Sequence, residues 1–277
     1  MNYGFVLPFG NARLAADLAY EAEQAGWDGF FVYEPVWGVD AWVSLTAVAM
    51  RTERIRLGTM LSPVSRMRPW KLASETATLD DLSGGRVILS VGLGAPDTGF
   101  ANFGEATDRK KRAELLDEGL DVLTGLWKGQ PFSYDGRHYH ITPTEFAPAP
   151  APIQQPRIPI WVVGAWPFES SMRRALRYDG LIPTVRGDNG GMRQPEPAEL
   201  REIVAGVAER RTDATPFDII VEGTTSSSDL ARASAKVSPW RDAGATWFLE
   251  ARWGGKEEAG GIDQLRRRIA AGPPQVD

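Results

Sequence analysis

The sequence of 277 residues contains no cysteine and only two histidines. The lack of cysteine excludes thiolate nucleophiles, cysteine-bound zinc, iron–sulfur clusters and disulfides. No hydrophobic run is long enough to cross a membrane and no basic leader segment is evident, so we expect a cytoplasmic protein without a membrane partner. A formal charge of −5 gives no basic surface for nucleic acid, which we do not expect as a partner.

What the sequence has instead is a repeated alternation of apolar runs and amphipathic segments. The predicted strands are residues 3–7, 29–33, 54–58, 87–91, 158–163, 180–184, 217–221 and 246–249. The predicted helices are residues 11–25, 40–49, 69–82, 109–126, 168–177, 196–211, 229–243 and 261–271. Eight such units predict an α/β protein with a closed (β/α)8 TIM barrel, as a single domain over residues 1–277. An open parallel sheet with a second domain is the alternative.

One segment departs from this alternation. Residues 127–157 are predicted to be an insertion within one strand–helix unit, formed by a hairpin that turns at Asp135–Gly136 and a proline-rich stretch. His138 and His140 would lie on one face of a hairpin strand, a spacing that a metal ion can use. Without an acidic partner nearby in the sequence, we predict no metal site.

Glycines flank the fourth predicted strand. Gly84 and Gly85 precede it and are typical of a helix end, whereas Gly92 and Gly94 follow it, where something could approach the main chain. No helix follows directly, as a dinucleotide-binding fingerprint requires, so a Rossmann site is not expected. We interpret the Gly92-Leu93-Gly94 stretch as a loop against which a flat ring lies; a plain loop is the alternative.

The loops after the strands would form the active site of a (β/α)8 barrel. They carry few charges and several aromatic residues, which suits a large planar ligand. Backbone amides at Gly164-Ala165-Trp166 could hold a phosphate, and Arg186 could pair with a phosphate or an acidic substrate group. The candidates for a substrate pocket are Phe9, Trp37, Glu250 and Trp253. Core packing is the alternative for the tryptophans, and pairing with Arg252 is the alternative for the glutamate.

Three stretches together resemble the luciferase-like monooxygenase superfamily. They are residues 79–87 (LDDLSGGRV) with the following Gly-Leu-Gly, residues 146–150 (FAPAP) and residues 156–164 (PRIPIWVVG). The resemblance implies a TIM-type barrel that binds FMN or the deazaflavin F420 non-covalently at the strand carboxyl ends. It implies that the loop 92–94 borders the cofactor and that the loop 164–166 takes its phosphate. It also implies a non-proline cis peptide within Thr59-Met60-Leu61, against which the ring packs.

The resemblance implies a flavin-type oxidoreductase or monooxygenase acting on a small apolar or aromatic substrate. With FMN, supplied reduced by a separate reductase, the expected reaction is monooxygenation; with F420 it is hydride transfer. A homodimer is also implied. A rival is a barrel that binds a flavin or another small molecule without redox activity. A hydrolytic or aldol-type barrel is not expected, because no lysine or His/Asp cluster follows a strand.

Position 34 departs from the family pattern. Many relatives carry an Asp-His or Glu-His pair after the second strand, whereas this sequence has Glu34-Pro35. Imidazole chemistry is therefore unavailable there. Glu34 is the nearest replacement, able to move a proton if burial raises its pKa. The alternative is a carboxylate at the barrel rim that pairs with an arginine.

Overall fold

The computed structural model describes residues 1–146, 151–213, 215–253 and 260–275. Its strands are β1 (Asn2–Leu7), β2 (Gly29–Val32), β3 (Arg56–Pro63), β4 (Val87–Gly92), β5 (Phe132–Asp135), β6 (His140–Thr144), β7 (Ile160–Trp166), β8 (Gly180–Arg186), β9 (Met192–Arg193), β10 (Asp218–Gly223) and β11 (Trp247–Ala251). Its α-helices are α1 (Ala12–Gln24), α2 (Ala41–Arg51), α3 (Pro69–Ser83), α4 (Arg109–Lys128), α5 (Glu169–Ala175), α6 (Pro197–Arg210), α7 (Leu230–Asp242) and α8 (Gly261–Ala270). Residues 147–150 of the FAPAP stretch lie outside the described residues.

Eight of the described strands form a closed parallel barrel in the order β1-β2-β3-β4-β7-β8-β10-β11. Pairing of β8 with β10 and of β11 with β1 closes the ring. The predicted (β/α)8 barrel is confirmed, and the open-sheet alternative is wrong. None of the helices within the described ranges is long and apolar enough to cross a bilayer.

The helix starts and stops follow local signals in the sequence. The side chains of Asn11, Asp40, Asp108 and Asp229 each accept a hydrogen bond from the backbone N–H three residues later. These bonds satisfy donors that have no partner inside the helix. Gly84 ends α3 in the left-handed conformation, with a φ of 68°, as its position predicted.

Several strands run further than predicted, and two of them differ most. The strand β3 continues past Gly58 to Pro63, and β7 continues past Gly164 to Trp166. At Gly58 a glycine is required inside the strand, because an added Cβ would lie 2.0 Å from the carbonyl oxygen of Ile88. The glycines therefore mark close backbone or side-chain neighbours in these strands, rather than the ends of strands.

An aromatic cluster fills the barrel interior. The rings of Phe31 and Trp161 lie 5.5 Å apart, and those of Trp161 and Trp247 lie 5.1 Å apart. Trp247 also lines a cavity of about 570 Å³ at the amino ends of the strands. Met60 and Ile182 belong to the same buried cluster and line a larger cavity at the carboxyl ends of the strands.

The insertion forms the predicted hairpin, β5–β6, with a longer turn than predicted. The Gly136 N–H donates to the carbonyl of Tyr139 at 2.9 Å, so the turn spans residues 136–139 instead of Asp135–Gly136. The carboxylate of Glu118 on α4 accepts hydrogen bonds from three successive backbone N–H groups of this turn, at 2.8–3.1 Å. The helix α4 therefore fixes the hairpin, a contact across some twenty residues that local periodicity does not reveal.

The two histidines of the hairpin bind different carboxylates. His138 Nε2 lies 2.9 Å from Glu114 Oε2, and His140 Nδ1 lies 2.7 Å from Asp135 Oδ1. The expectation that they lack acidic partners is wrong. Within the described part of the chain, no group of three or more His, Asp or Glu side chains could hold a metal ion.

The stretch 79–87 supports the architecture around the barrel. Asp80 is fully buried and accepts hydrogen bonds from the backbone N–H groups of Ile153 and Gln154, at 2.9 and 3.0 Å. The guanidinium of Arg86 donates to backbone carbonyls at the end of α2 and just beyond it, those of Ala49, Thr52 and Ile55. These two side chains therefore attach neighbouring segments to the α3–β4 unit.

Candidate functional site

A cavity of about 810 Å³ opens at the carboxyl ends of the barrel strands. Its size falls within the range of pockets that enclose a cofactor or a drug-sized ligand. Most of its lining is apolar or aromatic. The charged side chains that line it, among the described residues, are Glu34, Arg109, Arg112, Arg174 and Glu222.

The carboxyl end of β3 contributes an unusual backbone to this cavity. The peptide bond between Met60 and Leu61 is cis, which confirms the position expected within residues 59–61. Met60 and Leu61 line the cavity, whereas Thr59 is fully buried behind them. The side chains at 60 and 61 are thus the ones placed to contact a ligand.

The loop after β4 lies beside this peptide. Leu93 and Gly94 line the cavity. Gly94 has a φ of 71°, and a Cβ there would lie 2.8 Å from both Phe100 Cζ and Pro63 Cβ. A Cβ at Gly92 would point toward Leu61 and Val163 (nearest atoms 3.1 and 3.2 Å), and Gly92 does not itself line the cavity. The conformation of the loop therefore requires glycine at position 94 even without a ligand.

Three arginines form a basic wall on the same side of the cavity, Arg109 and Arg112 on α4 and Arg174 on α5. Arg112 Nη1 donates to the carbonyls of Leu93 and Gly94, at 2.7 and 3.0 Å, while its buried Nε has no hydrogen-bond partner among the described residues. Arg174 is held by Asp117, whose Oδ2 lies 2.7 Å from Nη2. This wall suits an anionic group.

The stretch Gly164–Trp166 does not form the expected loop with free amides. It belongs to β7, and the Ala165 N–H already donates to Ser171 Oγ at 2.9 Å. Trp166 does not line the cavity: an added Cβ at Gly206 on α6 would lie 2.3 Å from its ring. Gly164 also faces outward, where a Cβ would lie 2.4 Å from Leu181. Ala165 alone of the three lines the cavity.

Glu34 lies just beyond β2 in the cavity wall. Ser62 Oγ donates to its Oε2 at 2.6 Å. Burial raises the pKa of Glu34 to about 7, although the Ser62 hydrogen bond and the charge of Arg66 act in the opposite direction. Arg66 Nη2 donates to the backbone carbonyls of Glu34 and Pro35, both at 2.8 Å, and no described arginine forms an ion pair with the Glu34 carboxylate. The alternative of an arginine-paired carboxylate is wrong.

Hydroxyl groups continue inward from Glu34. Ser62 Oγ lies 2.9 Å from Thr59 Oγ1, and the Thr59 hydroxyl donates to the carbonyl of Ser90 at 3.3 Å. Ser62 has one hydroxyl hydrogen. It donates to Glu34 when that carboxyl is ionised and can donate to Thr59 when Glu34 is protonated. This row of hydroxyl groups can therefore keep its hydrogen bonds in either protonation state of Glu34.

Glu222 on β10 is a second carboxyl in the cavity wall, and it is not among the site residues predicted from the sequence. Trp253 Nε1 donates to Glu222 Oε2 at 2.8 Å. Burial raises the pKa of Glu222, against the effect of that hydrogen bond. The amide of Gln194 bonds to the backbone N–H and carbonyl of Glu222, at 2.7 and 2.8 Å, and so fixes the residue. The sequence feature that could have identified Glu222 is an acidic residue at the end of an apolar strand.

The family model described as "Luciferase-like monooxygenase" matches residues 1–274 of this chain. The chain belongs to the luciferase-like monooxygenase family. The F420-dependent glucose-6-phosphate dehydrogenase of Nocardia farcinica is 34% identical over 225 residues, which are 76% of this chain and 63% of that protein. The membership predicted from the sequence is thereby confirmed, and so is the prediction of an enzyme of the oxidoreductase type.

Solved structures share the fold of this luciferase-like chain. The coenzyme F420 dependent tetrahydromethanopterin reductase from Methanopyrus kandleri superimposes with a TM-score of 0.76 at 17% identity, covering 98% of this chain and 97% of that one. The oxygenating constituent of 3,6-diketocamphane monooxygenase from Pseudomonas putida, in complex with FMN, has a TM-score of 0.64 at 20% identity and covers 81% and 67%. The likeness at these identities is one of fold.

Glu250 of the luciferase-like barrel does not line the cavity. It is 1% exposed and accepts a hydrogen bond from the Thr225 N–H at 2.9 Å. Its carboxylate also lies 3.2 Å from Arg268 Nε and 3.3 Å from Arg252 Nη2. The predicted alternative of pairing with Arg252 is confirmed, and the contact with Arg268 attaches β11 to α8.

The remaining predicted site residues divide into two groups. Trp37 and Trp253 line the cavity, with Trp37 82% exposed at its mouth. Phe9 and Arg186 do not line it: Phe9 packs against the core between strands and helices, and Arg186 lies over the ring of Phe168 at 5.7 Å. The cavity therefore brings together predicted residues that follow β2, β4 and β11, with Met60 and Leu61 of β3 and Ala165 of β7.

Proposed function

We propose that this protein binds the deazaflavin F420 non-covalently in the 810 Å³ cavity and catalyses hydride transfer between that cofactor and a small organic substrate. The observation that carries this proposal is the position of Glu34, whose pKa burial raises to about 7, in the same cavity as the cis Met60–Leu61 peptide. Hydride transfer to a carbonyl or imine needs an accompanying proton. A carboxyl that is half-ionised near neutral pH can supply or accept it.

The residues of the cavity fit the cofactor. The unpartnered Nε of Arg112, with Arg109 and Arg174, would bind its phosphate, and Leu61 and Gly94 would border its ring. When bound, F420 supplies or accepts a hydride. The similarity to an F420-dependent dehydrogenase at 34% identity supports F420 over FMN.

The protein side chains would then position and protect the reacting groups. Ser62 holds Glu34 Oε2 and leaves Oε1 for the proton of the substrate. The side chains of Trp37, Met60 and Trp253 would shield the reacting atoms from water. The predicted homodimer and the predicted separate reductase remain part of this proposal.

Cofactor titration followed by turnover tests the proposal. The purified protein is titrated with oxidised F420 and with FMN, and the reduced form of each is then mixed with carbonyl, imine and alkene compounds with and without oxygen. We expect F420 to bind more tightly and to be reoxidised by substrate without oxygen. Tighter FMN binding with oxygen-dependent oxidation would favour a monooxygenase instead, and binding without turnover would favour the non-redox rival.

The basic wall can be tested separately. Arg109 is exposed and lines the cavity, so Arg109→Gln is expected to weaken F420 binding about fivefold, the worth of a partly exposed ion pair of ~1 kcal/mol. Binding of the phosphate-free deazaflavin chromophore should not change. The neighbouring variant Lys110→Gln, outside the cavity lining, is the matched control. Equal weakening of both ligands would contradict the assignment of the phosphate to this wall.

A further inference from the structure

The charged side chains of the cavity lie on opposite sides of it. The arginines belong to α4 and α5, the helices that follow β4 and β7, which are adjacent in the barrel. Glu34 follows β2 and Glu222 lies on β10, and between these two strands the barrel order contains only β11 and β1. The arc from β10 to β2 faces the pair β4–β7 across the ring. The cavity therefore has a basic side and an acidic side.

On the acidic side, Glu222 has unused capacity for a ligand. Its Oε2 accepts the Trp253 indole N–H, whereas its Oε1 accepts no hydrogen bond from the described residues. No described cationic side chain lies within ion-pair distance of Glu222. A partly buried carboxylate in this state gains from a cationic or hydrogen-bond-donating partner.

Aromatic rings accompany this carboxylate. Trp253 lines the cavity and is bonded to Glu222, and Trp37 lines the cavity beyond Glu34. The faces of tryptophan rings attract cations, most strongly where water is excluded. A carboxylate bonded to a tryptophan ring that lines the same cavity is a combination that favours a positively charged nitrogen.

The same side offers nothing to a phosphate group. Arg252 is bonded to the carbonyl of Thr225 and to Glu250, and Arg66 is bonded to backbone carbonyls; neither lines the cavity. A phosphorylated sugar placed there would meet two carboxyl groups without a cation among the described residues. Repulsion between the phosphate and these negatively charged carboxylates would disfavour binding. The acidic side therefore differs from what a sugar phosphate requires.

We infer that the substrate of this site is a small apolar or aromatic amine or iminium cation whose nitrogen is bound by Glu222. Phosphorylated sugars are excluded from the substrate side. This inference rests on the proposed function, because the cofactor must occupy the basic side for the acidic side to receive the substrate.

Three matched probes test the inference on F420-loaded protein: benzylamine as the cation, benzyl alcohol as the neutral analogue and benzyl phosphate as the anion. Dissociation constants are measured by calorimetry at neutral pH. We expect benzylamine to bind about tenfold more tightly than benzyl alcohol, the size of one favourable charged contact. Benzyl phosphate is expected to bind more weakly than either.

Variants at position 222 show whether this carboxylate is responsible. Glu222→Gln is expected to abolish the preference for benzylamine while leaving benzyl alcohol binding within about twofold. Glu222→Asp, which keeps the charge, is expected to retain part of the preference. Glu202→Gln on the exposed surface of α6 is the matched control and should leave all three constants unchanged.

Several results would overturn the inference. They are equal binding of benzylamine and benzyl alcohol, tighter binding of benzyl phosphate, no binding of any probe to cofactor-loaded protein, or an unchanged amine preference in Glu222→Gln. Failure of F420 and FMN to bind would instead count against the proposed function. The amine preference is therefore also measured on unloaded protein, where its loss in Glu222→Gln supports the role of that carboxylate.

Discussion

Two glutamates that follow or end barrel strands have opposite surroundings. Glu250 at the end of β11 is 1% exposed, and its carboxylate contacts the Thr225 N–H, Arg268 and Arg252. Glu34 beyond β2 accepts one hydrogen bond from a described side chain, that of Ser62. The Glu250 carboxylate has hydrogen-bond or ion-pair partners on both of its oxygens and so holds neighbouring elements of the structure together. A partly satisfied carboxylate in a cavity wall exchanges a proton at neutral pH, which makes it suitable for chemistry.

The largest expected effect is on stability, from Glu250→Gln. This change leaves the fully buried Arg268 without its carboxylate partner and should lower the free energy of unfolding by about 3–5 kcal/mol. Urea denaturation at neutral pH measures it. The control Glu21→Gln removes the carboxylate partner of Arg266, which lies near the surface of α8, the helix that also carries Arg268. It should lower the free energy of unfolding by under about 1 kcal/mol. Similar losses in both variants would remove the distinction between Glu250 and a surface carboxylate.

The second effect concerns the loop after β4. Gly94→Ala should lower the free energy of unfolding by about 2–4 kcal/mol, because positive φ and overlap with Phe100 and Pro63 both oppose a Cβ. Cofactor affinity should fall as the loop shifts. The control Gly99→Ala has a φ of 108° with no atom within 4 Å of its Cβ, so it should cost only about 1–2 kcal/mol and leave affinity unchanged. Unchanged affinity in Gly94→Ala would contradict the position of the ring.

The third effect is a pH dependence of stability and of turnover that Glu34 should produce. The native pKa of Glu34, about 7, lies above its ordinary value of 4.5, so folding favours the protonated form. The stability that wild type has at about pH 5 should therefore fall by about 1–3 kcal/mol as the pH rises through 7 to about 8. Glu34→Gln should lack this loss, and the inflection near pH 7 in its turnover should disappear. Identical pH profiles of both proteins would assign the titration to another group.

The smallest effect should come from Ser62→Ala. The Ser62 hydrogen bond lowers the pKa of Glu34, so its removal should move the inflection of turnover upward by about half to one pH unit. Thr59→Ala lies one hydroxyl further away and should shift it less. A downward shift in Ser62→Ala would show that the hydroxyl stabilises the protonated carboxyl instead.

Periodicity and local signals were sufficient to predict the barrel, because each strand is a continuous apolar run and each helix has an amphipathic face. The direction of side chains near strand ends was not predictable in the same way. At β7 the sequence predicts a loop at 164–166, but the strand continues and its side chains alternate. Ala165 consequently faces the cavity, while Gly164 and Trp166 face the helices.

Other site residues escaped because their partners are distant in the sequence. Arg112 lies inside α4, well beyond the strand ends where site residues are predicted, and reaches the loop at Leu93. Glu222 acquires its importance from Trp253, 31 residues later. Such contacts depend on how neighbouring elements pack, as in the pairing of β10 with β11 that brings Glu222 and Trp253 together.

The scaffold role of Asp80 and Arg86 bears on how members of this family diverge. In the stretch 79–87, two side chains form hydrogen bonds with backbone groups: Asp80 with residues 153–154 and Arg86 with the end of α2. These contacts lie near the start of β4 and the end of α2, away from the cavity at the carboxyl ends of the strands. Cavity positions such as 34 and 222 can therefore change without disturbing the contacts that this stretch makes.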